Sequence, residues 1–163
     1  MEAVMTKQTI DSRPSPAASA VPGLGSWPQR VLLAVDDSDE SHKAVELAAR
    51  VAGQSAGEII ALHVHPVEPG RGGPYRVETR FEAFCLVHDT VAQLRAAGLT
   101  GRGLVTNARI NRVGDAIAAQ ARRLDADLII MGARDLSNVS QLLGGSVSRD
   151  VARRAHCPVT LAH

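Results

Sequence analysis

Three short stretches that are apolar without a break constrain this chain most: Val31-Leu32-Leu33-Ala34-Val35, Ile59-Ile60-Ala61-Leu62 running on into His63-Val64-His65, and Leu128-Ile129-Ile130-Met131. A strand with one wet face alternates apolar and polar residues. An unbroken run needs cover on both faces, which a parallel sheet sandwiched between helices provides. Aromatic residues make up only 2% of a chain that is 45% apolar, so Ala, Val, Leu and Ile must fill the core. Those small and branched side chains suit helices layered on a sheet. The expectation is an α/β fold, a doubly wound five-stranded parallel sheet with helices on both faces.

The segments between the runs supply the helices. After the first strand, Ser38 or Asp39 can cap a helix whose first turn holds Glu40 and which buries Ala44, Val45, Leu47, Ala48, Val51 and Ala52, fading at Gly53 and Gly57. The second strand is expected to stop at Pro66, before a Pro/Gly-rich loop through Pro74. A second helix follows, with Val77, Phe81, Phe84, Val91 and Leu94 on one inward stripe and Gly98 at its end. The third strand is weaker and is placed within Leu104 to Ile110. Gly114 and Asp115 open a helix with Ile117, Ala118, Ala121 and Leu124 inward. After the fourth strand comes a loop from Gly132, a helix centred on Val147 to Ala155, and a last strand over Pro158-Val159-Thr160-Leu161. Residues 1–29 carry Pro14, Pro16, Pro22 and Pro28 without hydrophobic periodicity and read as a flexible arm before one domain over 30–163. Trp27 is expected to pack on that domain.

Composition excludes several roles. With 18 basic and 17 acidic residues the net charge is +1, giving no field to gather nucleic acid or an anionic membrane. No stretch reaches the roughly 18 apolar residues that span a bilayer, and the start lacks the order of a signal peptide. Cys85 and Cys157 match no metal or redox spacing and read as reduced core thiols of a cytoplasmic protein. His63 and His65 share one face of their strand, but two histidines without a third ligand read as sheet-end packing or surface residues, so no metal set is expected.

In such sheets the ligand site lies beyond the carboxyl ends of the strands, where strand order reverses. That brings together the loops after strands one, two and four. The last reads Gly132-Ala133-Arg134-Asp135, nine residues, then Gly145-Ser146-Val147-Ser148 at a helix start. Glycines let backbone amides approach an oxyanion, and a helix start favours phosphate, so a phosphate cradle is one reading. The other is that Gly132 makes a tight strand exit and Ser146 caps its helix. Asp36, Asp37, Asp39 and Glu40 would repel phosphate, so a nucleotide would turn its sugar end to them, with Asp36 accepting from a ribose hydroxyl and Val64 lining the base. The alternative makes Asp36 and Asp37 turn and capping residues. A hydrolase elbow is not formed, since Ser148 stands where Gly-x-Ser-x-Gly needs its second glycine, and no catalysis is expected.

Taken in order, the strand ending in Asp36-Asp37-Ser38, then Ala61-Leu62-His63-Val64-His65, then Ala126-Asp127-Leu128-Ile129-Ile130-Met131-Gly132, then Gly144-Gly145-Ser146-Val147-Ser148 leading to His156-Cys157-Pro158-Val159, resemble the universal stress protein family over about residues 30–163. The resemblance implies strand order 3-2-1-4-5, a cytoplasmic stress-resistance protein, a homodimer paired through the last strand, and in some members ATP. The binders' motif is Gly, two residues, Gly, nine residues, then Gly-Ser or Gly-Thr. Gly132, Gly145 and Ser146 match it, while Asp135 stands at the second glycine and Asp37 at the glycine usual after the strand-one aspartate. A carboxylate near a triphosphate costs about 1 kcal/mol or more. Arg134 or a bridging Mg ion could offset it, or Asp135 could face solvent. The expected contact set is Val35, Asp36, Val64, Met131, Gly132, Arg134, Gly145, Ser146 and Val147, with ATP and Mg as the ligand. The alternative is a dimeric signalling or scaffold module without nucleotide, whose dimer surface and 66–75 loop recruit a protein partner.

Overall fold

The computed structural model describes residues 27–67, 78–133 and 147–163. Its elements are β1 (Arg30–Ala34), α1 (Asp39–Ser55), β2 (Glu58–Val67), α2 (Arg80–Ala96), β3 (Thr100–Arg109), a 3-10 turn (Ile110–Arg112), α3 (Val113–Arg123), β4 (Leu128–Gly132), α4 (Val147–Arg154) and β5 (Val159–Ala162). All pairings are parallel and the sheet order is β3-β2-β1-β4-β5. The unbroken runs now have their reason. Val31, Leu33, Ile59, Ala61, Leu128 and Ile130 enter one core under α1 and α2, while Leu32, Ala34, Ile60, Leu62, Ile129 and Met131 enter a second against α3 and α4.

Several boundaries differ from the sequence expectation. β3 begins at Thr100, four residues before Leu104, and pairs with β2 along its whole length. Gly101 and Gly103 hide it, because glycine breaks a strand pattern in sequence while serving a close approach in space. A Cβ on Gly103 would lie 2.3 Å from Val87 Cγ1, so α2 rests almost directly on the β3 backbone. That contact also fixes the rotation of α2. Ala83, Val87, Val91 and Leu94 point inward, and Phe81 and Phe84, expected in the core, are 75% and 62% exposed. α2 starts with a reciprocal cap: the Glu82 N–H donates to Thr79 Oγ1 and the Thr79 N–H to Glu82 Oε2, which holds the Glu82 carboxyl below its ordinary range.

α1 is capped by Ser38 as expected, but it passes through Gly53 and ends at Ser55, with Ala56 taking the left-handed conformation at φ 51°. β2 continues through Pro66 to Val67. The Glu58 N–H donates to the Gln29 carbonyl, so the even-numbered residues of β2 face β1. The β1 ladder ends at Ala34 opposite Leu62, and the donor that Pro66 lacks falls beyond that end.

The lower end of β1 is tied from the side. The Asp127 carboxylate accepts from the N–H groups of Gln29 and Arg30, Ser55 Oγ donates to the Pro28 carbonyl, and Trp27 packs against the α1/α2 core. Cys85 and Cys157 are free and half-buried rather than core residues. Burial, and next the Asp127 charge, push the Cys157 thiol up. None of the helices described is long and apolar enough to cross a membrane.

Phe81→Ser and Phe84→Ser should each move folding stability by less than about 0.5 kcal/mol, whereas Leu94→Ala should cost about 2–5 kcal/mol. Urea unfolding measures both, and large losses at the phenylalanines would restore the inward stripe. At pH 8 the raised Cys157 thiol carries little thiolate, so iodoacetamide should alkylate it more slowly than cysteine in an unstructured peptide.

Candidate functional site

The chain leaves β1 to one side for β2 and returns on the other side as β4, so the order reverses at the carboxyl ends of β1 and β4. The register sets Ala34 opposite Met131 there, which brings Val35 and Asp36 beside Gly132. Asp36 is held from both its backbone and its side chain. Its N–H donates to Ser41 Oγ at 3.1 Å, and Ser38 Oγ donates to its Oδ1 while accepting the Ser41 N–H. The carboxylate is half-buried and aimed by the α1 cap, whereas Asp37 is exposed, as a turn residue would be. Acidic side chains in the first turn of α1 also suit the positive end of that helix.

Gly132 owes its place to packing. A Cβ there would sit 2.7 Å from the Glu40 carbonyl carbon and 2.8 Å from Glu40 Cβ, so β4 leaves the sheet against the first turn of α1. Val64, two residues past the last β1–β2 pair and three before the end of β2, is 7% exposed. The alternation that turns Glu58 and Leu62 to β1 turns the Val64 N–H and C=O to the same side, one rung past the bond from the Val35 N–H to the Leu62 carbonyl. Val64 and Met131 share the α3/α4 core, but the Val35 side chain enters the opposite one. Val35 therefore offers the site its backbone. Val147 opens α4, whose start is seated by Gly114: a Cβ on that glycine would lie 3.1 Å from the Val147 carbonyl oxygen. Arg134, Asp135, Gly145 and Ser146 lie outside the described residues.

The sequence shows two histidines here but not the glutamate that they meet. His63 and His65 are 6% and 4% exposed, and both reach Glu78, just ahead of α2. His63 Nδ1 lies 2.8 Å from the Val35 carbonyl oxygen and its Nε2 2.5 Å from Glu78 Oε1, while His65 Nε2 lies 3.1 Å from the Glu78 carbonyl oxygen. His65 Nδ1 is buried with no hydrogen-bond partner among the described residues. The two histidines are packed residues rather than surface ones, the two alternatives that the sequence left open. Among the described residues no cluster of three or more His, Cys, Asp or Glu could hold a metal. Glu78 carried no sequence signal, since only the fold brings it back over β2.

Gly132→Ala should cost about 1–3 kcal/mol in urea unfolding, because the methyl group would meet backbone rather than a yielding side chain. A loss under about 0.5 kcal/mol would show that β4 and α1 can separate freely.

Comparison with known proteins agrees with this geometry. A universal stress protein of Mycobacterium tuberculosis is 31% identical over 140 residues, 82% of this chain and 94% of that one. The solved universal stress protein of Archaeoglobus fulgidus superposes with a TM-score of 0.67 at 28% identity, over 83% of this chain and 98% of its own. A universal stress protein in complex with cAMP gives 0.67 at 25% identity, over 85% and 99%, and the Archaeoglobus fulgidus protein in complex with dAMP gives 0.64 at 26%, over 83% and 98%. The model of the universal stress protein family matches residues 28–163, and the chain belongs to that family.

Proposed function

We propose that this chain is a stress-response module that binds an adenine nucleotide at the carboxyl ends of β1, β2 and β4 and catalyses no reaction of its own. The observation that carries the reading is the end of β1: past it, the Val64 N–H and C=O face the place a strand has vacated, with the fixed Asp36 carboxylate beside it. A neighbouring donor and acceptor on one backbone residue complement the N1 and amino group of adenine, whose order guanine reverses. Asp36 then accepts from a ribose hydroxyl. Phosphates point toward Gly132 and the start of α4 at Val147, with Arg134, Gly145 and Ser146 as the remaining contacts. The complexes of relatives with cAMP and dAMP support this choice of ligand class.

ATP with Mg is the fuller form of the ligand. Asp135, in place of the motif's second glycine, weighs against three phosphates more than against one. The same residue favours the second reading, a dimeric scaffold that works without nucleotide. In either case β5, at the edge of the described sheet with Leu161 37% exposed, is the strand through which two copies would pair. We place the protein in the cytoplasm, without nucleic acid or membrane as partner.

Calorimetric titration with AMP, cAMP and MgATP tests the reading. The wild type should bind AMP, and Asp135→Gly should tighten MgATP about five- to tenfold, which corresponds to about 1–1.4 kcal/mol of repulsion removed. AMP should change less, and chromatography should recover every nucleotide intact. Absence of heat with all three ligands in both proteins would leave the scaffold reading.

A further inference from the structure

We propose, resting on the nucleotide reading above, that His63 is the positioning residue of the base pocket: it draws the Val35 carbonyl out of the β1–β2 ladder and so leaves the Val64 backbone edge to the ligand. The ladder runs regularly to the bond from the Val35 N–H to the Leu62 carbonyl. A further rung would join the Val64 N–H to the Val35 carbonyl. That carbonyl instead faces His63 Nδ1 at 2.8 Å. A carbonyl has no proton to give, so Nδ1 is the donor.

The ring is held for this task from its other side. Nε2 lies 2.5 Å from Glu78 Oε1, and this second hydrogen bond fixes the ring's rotation. His65, next on the same face of β2, reaches the Glu78 carbonyl through Nε2, so the two histidines bracket one residue. Both histidines are buried, and Glu78 immediately precedes the Thr79 cap of α2. The end of β1 is thereby tied through His63 to the start of α2. Without the imidazole, the Val35 carbonyl and the Val64 N–H would satisfy each other, closing the edge that the base needs.

The test uses the full chain with His63→Ala, His63→Asn and Glu78→Ala. An Asn amide places an N–H close to where Nδ1 stands, so it is the conservative replacement. In calorimetry, AMP affinity should fall at least tenfold in His63→Ala, return to within about threefold in His63→Asn, and lie between in Glu78→Ala. Ribose 5-phosphate, which lacks the base, should bind all four proteins alike. Amide exchange without ligand gives an independent reading: the Val64 N–H should exchange faster than that of Leu62 in the wild type and in His63→Asn, and slow in His63→Ala as the extra rung forms. Equal weakening of both ligands, or Val64 exchange unchanged between wild type and His63→Ala, would overturn the proposal. If the wild type bound neither ligand, the nucleotide reading alone would fail, and Val64 exchange would still decide whether His63 diverts the carbonyl. If His63→Ala did not fold, Glu78→Ala against His63→Asn would decide by the same two readouts, with slowed Val64 exchange and weakened AMP expected only in Glu78→Ala.

Discussion

β1 is paired on both edges and covered on both faces, and the rest of the molecule is arranged around that confinement. Its side chains alternate between two helix layers, so neither core could form without the other being built on the same strand. Along such a strand every backbone group has a neighbour. Only at its end do β2 and β4 turn backbone toward a space that none of the described strands fills. The place where the ladder runs out and the place where a ligand can be held are therefore one location.

Close approach of backbone is the second theme. With aromatic residues nearly absent from the interior, helices sit near the sheet, and glycine is found where two segments come closest. Gly103 lies under α2, Gly114 under α4 and Gly132 against α1. Two of these contacts bear on the site, since Gly132 sets where β4 departs and Gly114 sets where α4 begins. Packing and the geometry of the candidate site are thus fixed by the same residues. The helix caps contribute in the same way: Ser38 both starts α1 and aims Asp36, and Thr79 starts α2 immediately after the carboxylate that holds His63.

The sequence was legible where a residue's role follows from its own neighbours. β1 and β4 are unbroken apolar runs because both faces are dry, and the parallel five-stranded order followed from the succession of motifs. It was illegible where the partner lies elsewhere in the chain. Gly101 and Gly103 weakened the signal of β3 because their purpose is to receive α2, and Phe81 and Phe84 fell on a plausible helical stripe whose rotation only that contact decides. Of the expected contacts, Asp36, Val64, Met131 and Gly132 stand where the strand runs and the spacing put them, around the end of β1. Val35 was named for its position, yet its side chain turns to the other core. The histidine pair was visible, but its bonds to a backbone carbonyl and to the carboxylate of Glu78 leave no periodic trace.

The fork made by Asp127 has a wider consequence. In a strand with one wet face, a slip of one residue exposes apolar side chains, and polarity enforces alignment. A slip of β1 would merely exchange the contents of two dry layers, so hydrophobicity is nearly indifferent to it. Alignment must then come from groups that can count residues, and the carboxylate of Asp127, gripping the successive amides of Gln29 and Arg30, is such a group. It acts as a frame mark for the central strand, at the opposite end from the site whose geometry depends on that frame.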